Sequence, residues 1–192
     1  MAGARYGGGM TPADHRTAPV LETPRLVLRA HRRDDFAACA AMWADPDVVR
    51  HIGGRPFSAE ESWARLLRYG GLWPLLGYGY WAAVDRASGE YVGELGFADF
   101  QRAIDPPLGA PEIGWAFVAR AHGRGIATEA VRAIVAWADR ALAAERTACI
   151  ISPANAASLR VAAKAGYREV RRTTYKAAPT IVSERARLSP SA

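Results

Sequence analysis

Apolar and basic positions alternate in "RLVLRA" (25–30), the two-residue period of a half-buried strand. The period then lengthens. In "DDFAACAAMWAD" the apolar positions Phe36, Cys39, Ala40 and Trp43 recur at three- and four-residue spacing, which predicts an amphipathic helix. A second helix is predicted over "SAEESWARLLRYGG", where Ser58 and Glu61 stand in capping-box spacing and Trp63, Leu66 and Leu67 share a face. Gly70 and Gly71 are expected to stop it. "YGYWAAVDRASGEYVGELGFADF" reads as two strands joined at a Ser-Gly turn, and "APEIGWAFV" as another strand. A helix follows through Ala130, Ile134, Ala138 and Leu142, then a short buried strand, "TACIIS". "NAASLRVAAKAG" is a compact helix with Asn155 at its cap, and "YREVRR" and "PTIVSER" are closing strands.

The order is strand, two helices, a strand meander, helix, strand, helix, strand, strand, which predicts a mixed α/β fold. A chain of 192 residues, 50% apolar, suits one globular domain. It is placed at residues 21–187, after a leader (1–20) with no periodic apolar face and before a short tail (188–192). The leader is read as flexible and dispensable. No apolar run approaches the roughly eighteen residues of a membrane span, and the leader lacks a signal-peptide core, so no membrane association is expected.

Cys39 and Cys149 match no metal or redox spacing, which fits core residues in a reducing cytoplasm. The histidines His15, His31, His51 and His122 show no paired ligand spacing, so no metal is expected. The formal charge of +6 comes almost wholly from arginine. From Glu145 onward basic residues outnumber acidic ones, which suits either an anionic ligand or a merely solvated face.

The anionic reading has a place to act in "RAHGRGIATEA" (120–130). Gly123 and Gly125 allow close backbone approach, and a helix beginning near Gly125 would aim its unpaired N–H groups and positive dipole end at one point. Arg120 and Arg124 add charge, and such a place binds phosphate. The alternative is a tight strand-to-helix turn that needs glycine for sterics alone. A dinucleotide fold fits less well: Thr128 stands where its third glycine belongs, and Glu145 precedes the next strand. No Walker lysine follows the glycines.

These residues resemble the acetyl-CoA motif R/Q-x-x-G-x-G/A of the GNAT N-acetyltransferases, through Arg120, Gly123 and Gly125. "PANAASLRVAAKAGYREV" is similar to the N-x-x-S and K-x-G-F/Y segment of the RimJ/RimL-type subgroup, through Asn155, Ser158, Lys164, Gly166 and Tyr167. "LETPRLVLRAHRRDDF" and "DPDVVRHI" resemble that subgroup's N-terminal half, so the likeness spans roughly residues 21 to 187.

The resemblance implies the GNAT fold, a mixed central sheet of about seven strands with flanking helices and a splayed strand pair that takes acetyl-CoA as cosubstrate. The pantetheine arm would pair with the strand edge around Phe117 and Val118. The pyrophosphate would sit on amides of His122, Gly123, Arg124, Gly125, Ile126, Ala127 and Thr128, with Asn155, Ser158 and Lys164 also on the cofactor side. Glu112 is the favoured general base and Glu94 the second candidate. Many family members carry a tyrosine acid seven residues after the asparagine; here Ala162 stands there, and Ser158 is its substitute or else a helix-cap residue. Aromatic residues Trp73, Tyr78, Tyr80, Trp81 and Trp115 are expected to be mostly core, with one or two lining the acceptor pocket. The implied reaction is acetyl transfer to a primary amine, on a peptide or protein N-terminus or a small molecule. A noncatalytic acyl-CoA sensor is the alternative. An RNA-binding reading ranks last, since no RNA motif with stacking aromatics is present. The resemblance admits a homodimer.

Overall fold

The computed structural model describes residues 16–188. The chain runs β1 (Leu21–Glu22), β2 (Leu26–Arg29), α1 (Phe36–Ala44), α2 (Pro46–Val49), α3 (Ala59–Leu76), β3 (Tyr80–Asp85), β4 (Tyr91–Ala98), β5 (Glu112–Phe117), α4 (Ile126–Ala141), β6 (Arg146–Ile151), α5 (Ala156–Lys164), β7 (Arg168–Tyr175) and β8 (Ala178–Ala186). One sheet holds all eight strands in the order β1-β2-β3-β4-β5-β6-β8-β7, antiparallel except between β5 and β6. The count exceeds the expected seven because Leu21–Glu22 folds back antiparallel on the opening strand, through a turn in which the Thr23 hydroxyl accepts the Leu26 amide at 2.9 Å.

Strand alternation gives the sheet two chemically different faces. Tyr80, Ala82, Glu94, Gly96, Ala98, Glu112, Gly114 and Ala116 share one face, by their register across β3, β4 and β5. α1 covers part of it with Cys39, Met42 and Trp43, and α3 another part with Tyr69 and Leu72. The opposite face carries Trp81, Leu95, Phe97, Ile113 and Phe117 and packs against Val131, Ile134, Trp137 and Ala138 of α4. Trp137 meets the edge of Trp81 at 5.0 Å between ring centroids.

α3 begins as expected: the Glu61 amide donates to Ser58 Oγ at 3.1 Å, and the Ser58 amide to Glu61 Oε2 at 2.8 Å. It does not stop at Gly70 and Gly71 but continues, with Pro74 inside it, to Leu76. Each glycine costs a helix interior roughly 1 kcal/mol. Burial of Leu72 and Trp73 in the next turn offsets that cost. α2 lies within "DPDVVRHI"; Asp45 caps it by accepting the Asp47 amide at 2.9 Å, but four residues are too few to show a period.

Residues just before the expected boundary at Leu21 also pack. Ala18 belongs to the core, and the Pro19 carbonyl accepts the Trp81 indole N–H at 2.7 Å. The rest of the leader (1–15) and tail residues 189–192 lie outside the described residues.

Candidate active site

β5 and β6 are joined at one end only. Their ladder has a single register pair, Glu112 with Ala148, supported by the Ala148 amide donating to the Pro111 carbonyl at 3.0 Å. Beyond that point the strands part, while β6 stays fully paired with β8 and β5 with β4. The Val118 amide donates to Val92 O at 3.0 Å, which fixes the alternation along β5: even-numbered residues bond β4 and odd-numbered ones face the opening. The exposed edge is therefore made by the Trp115 amide and carbonyl and the Phe117 amide. Of the expected pair, Val118 has its amide committed elsewhere, and the Phe117 carbonyl lies 2.9 Å from His122 Nε2.

The opening leads to the glycine turn. Gly123 and Gly125 both adopt left-handed angles, φ 74° and 78°, which a side chain would strain. A Cβ at Gly123 would meet nothing within 4 Å, so the turn has open space in front of it. α4 has no side-chain cap, and its first intrahelical bond at this end is Glu129 N to Gly125 O at 3.0 Å. The amides of Ile126, Ala127 and Thr128 are thus without helical partners, at the positive end of a sixteen-residue helix. Ile126 offers only its backbone, since its side chain is in the core. Arg124 is exposed. Arg120 instead turns back to the β3–β4 hairpin and pairs with Glu90 at 3.0 Å.

Arg25 was not expected here. Its Nη1 donates to the Arg124 carbonyl at 2.8 Å, and its Nε pairs with Glu129 Oε2 at 2.6 Å. Glu129 Oε1 accepts the Thr23 hydroxyl at 2.7 Å and the Arg25 amide at 2.9 Å. One carboxylate therefore ties the β1–β2 turn to the first turn of α4. Burial raises the Glu129 pKa, but Thr23 and Arg25 outweigh it and hold the carboxyl below its usual range.

The two candidate bases are differently placed. Glu94 is fully buried under α1 and α3, away from the opening. Its Oε1 accepts from Trp43 Nε1 (3.1 Å) and Tyr69 OH (2.6 Å), its Oε2 from Tyr91 OH (2.9 Å), and His31 Nε2 lies 3.9 Å away. Desolvation pushes its pKa up; the His31 imidazole, Arg65 and Tyr69 overcome this and bring it below the ordinary value. Glu112 sits where β5 and β6 join, at the closed end of the opening. Arg102 grips it with two donors, one of them Nη2 to Oε1 at 2.7 Å. Arg102 also donates to Tyr175 OH at 3.0 Å and lies between the Phe100 and Tyr175 rings. Nothing local announces Arg102, which comes from the nonperiodic loop between β4 and β5.

Across the opening, Asn155 caps α5 by accepting the Ser158 amide at 3.0 Å. The cap is thus Asn155, and the Ser158 hydroxyl makes no hydrogen bond among the described residues. The Lys164 carbonyl accepts both Nε and Nη2 of Arg132 at 3.1 Å, holding α5 to α4. Ala162 faces the core, and the Tyr167 hydroxyl is engaged with Thr147 Oγ1 at 2.6 Å. Trp73, Tyr80 and Trp81 are core residues as expected, while Tyr78 and Trp115 are partly exposed. Among the described residues no cluster of metal-ligating side chains occurs, and no helix is long and apolar enough to cross a membrane.

A sheet that parts beside an uncapped, glycine-led helix offers an open strand edge and, next to it, unpaired amides suited to an anion. The family comparison agrees, since the model of the acetyltransferase (GNAT) domain matches residues 25–168. The chain belongs to the GNAT acetyltransferase family: it is a transferase that uses acetyl-CoA as cosubstrate and an amine as acceptor. The uncharacterized Bacillus subtilis (strain 168) protein YkkB is 31% identical over 151 residues, which cover 76% of this chain and 83% of YkkB. A GNAT-family structure from Bordetella pertussis is 33% identical with a TM-score of 0.79, covering 88% of this chain and 100% of that one. A ribosomal-protein-S5-alanine acetyltransferase from Vibrio fischeri shares the fold at 20% identity and a TM-score of 0.67, covering 88% and 97% of the two chains.

Proposed function

We propose that the acceptor is a primary α-amine on a peptide or protein, as in the RimJ/RimL-type subgroup, and that Glu112 takes its proton. The observation that carries this reading is the position of Glu112 at the closed end of the β5–β6 opening, opposite the glycine turn. The pyrophosphate rests on the amides of residues 123 to 128 and pantetheine pairs with the β5 edge at Trp115 and Phe117, so the acetyl group is carried toward the Glu112 end. On this reading Asn155, Ser158 and Lys164, in and just before α5, serve the cofactor side. The subgroup assignment rests on the N-x-x-S and K-x-G-Y segments of α5, and on the shared fold of the S5-alanine acetyltransferase.

An ammonium has no lone pair, so a proton leaves before the nitrogen attacks the thioester carbon. Two of the roughly four lone-pair sites on the Glu112 carboxylate are taken by Arg102, and the others remain to accept that proton through a water. A C–N bond then forms, the C–S bond breaks, and CoA leaves with the electron pair and is protonated. Buried, unpaired Cys39 and Cys149 suit work in a reducing cytoplasm. The test is release of CoA thiol from acetyl-CoA with peptides bearing free N-termini and with small amines. Turnover that requires a peptide amine supports the reading. CoA binding without turnover on any amine defeats it.

A further inference from the structure

The register pair Gly96 and Gly114, on adjacent strands β4 and β5, clears a shelf on the sheet face that α1 and α3 partly cover. The ring of Tyr80, from β3, lies across that shelf. A Cβ on Gly96 would fall 2.4 Å from the Tyr80 Cα and 2.8 Å from its ring, and a Cβ on Gly114 would fall 2.3 Å from the Tyr80 hydroxyl oxygen. No side chain fits at either position without displacing the tyrosine. The ring is fixed from above by Tyr69, stacked on it at 4.3 Å with planes 4° apart. Tyr69 is itself held, donating to Glu94 at 2.6 Å and accepting from Arg65 at 2.9 Å. The buried Glu94 cluster thus fixes an aromatic stack whose free end is one phenol group on the middle of β5.

That phenol is unused by the protein. The Tyr80 hydroxyl makes no hydrogen bond among the described residues, although buried polar atoms rarely go unpaired. Nor is it among the fully sealed unpaired atoms, which are the two His31 nitrogens and Arg65 Nε. Its place along β5 is informative. The pyrophosphate turn lies beyond the C-terminal end of this strand, and the opening closes at Glu112. A thioester arm running between those limits has its reactive end beside the strand's middle, where Gly114 and the hydroxyl are.

We infer that Tyr80 is a catalytic residue of this acetyltransferase, donating a hydrogen bond to the negative charge that develops on the thioester as the amine attacks. The inference rests on the acetyl-CoA placement proposed above. The O–H bond is kept throughout, so the group contributes a fixed dipole and no proton. Burial, then Glu112 and Glu94, push the phenol well above its usual range, which keeps it a donor at every working pH.

Tyr80→Phe tests this cleanly, because it keeps the ring and its stacking and removes no hydrogen bond made within the protein. Expected is a fall in kcat of about 10- to 100-fold, with an unchanged melting temperature and an unchanged KM for acetyl-CoA. The deficit should be the same from neutral pH to about pH 9, since no titration of Tyr80 occurs there. A kcat within twofold of wild type overturns the inference. So does a rate loss accompanied by a matching loss of melting temperature and of CoA binding, which would make Tyr80 a packing residue. Failure of the wild-type enzyme on every amine would instead defeat the acceptor reading.

Discussion

Arg102 and Glu112 face each other as a forked ion pair, ten residues apart in sequence, with both carboxylate oxygens engaged. The pair orients Glu112 and leaves part of its lone-pair capacity open to other donors. Glu112→Gln removes the basicity and keeps the size. Its kcat at neutral pH should fall by roughly 10²-fold, with acetyl-CoA affinity little changed. The deficit should shrink as pH rises toward the acceptor's own pKa, because a neutral amine needs no base. A pH–rate profile of the variant beside wild type checks both statements; equal rates throughout would leave catalysis to positioning alone.

Gly125 is the second target. A valine there would adopt φ near 78° only with strain, and its Cβ would lie 3.5 Å from the Arg25 guanidinium that holds the Arg124 carbonyl. The acetyl-CoA dissociation constant should rise at least about tenfold, or about 1.4 kcal/mol. Calorimetric titration measures it, and wild-type affinity in the variant would remove the pyrophosphate from this turn.

The leader's dispensability ends where Ala18 and Pro19 begin to pack. A chain shortened to start at Val20 loses a buried alanine and leaves the Trp81 indole N–H unpaired, at a cost of about 1–3 kcal/mol. Its melting temperature should fall by several degrees. Trp81→Phe in the full chain, which removes the donor, separates the hydrogen bond from the packing.

Acid should unfold the protein through a small set of carboxylates. Burial raises the pKa of Glu94, Glu129 and Asp139, yet the partners of each outweigh it: His31 for Glu94, Thr23 and Arg25 for Glu129, Arg185 for Asp139. A folded pKa below the unfolded one gives stability that is complete above the unfolded value, about 4. It is lost as pH falls through the folded pKa. The melting temperature should therefore be flat from about pH 5 to neutrality and drop steeply below about pH 4. Glu94→Gln should lower it at neutral pH as well, since an amide hydrogen would meet the donors of Trp43, Tyr69 or Tyr91. Calorimetry across the range reads both effects.

The parts of the site written in consecutive residues were legible in the sequence. Gly123, Gly125 and the apolar face of α4 announce a glycine-led helix because sterics and periodicity act locally. The caps at Ser58 and Asn155 were readable for the same reason. What escaped was settled by distant partners. α3 outruns Gly70 and Gly71 because Trp73 has aromatic neighbours on β3 and α4. Arg102 is unremarkable in its loop until Glu112 is placed beside it, and Arg25 until Glu129 is. Glu94 and Glu112 look alike as strand carboxylates; only the strand order shows that one lies under helices and the other beside the opening. Likewise, Gly96 and Gly114 read as ordinary strand glycines until the register brings them together under Tyr80.

The Arg25–Glu129 tie also sets an order of events in time. The residues it joins are 104 positions apart, so at a synthesis rate of roughly 5–20 residues per second the β1–β2 turn waits roughly 5 to 20 seconds for its partner to leave the ribosome. Until then the Arg25 guanidinium has neither the Glu129 carboxylate nor the Arg124 carbonyl to bind. The opening hairpin therefore docks late, and whatever stabilises the first turn of α4 acts only on a chain synthesised at least that far.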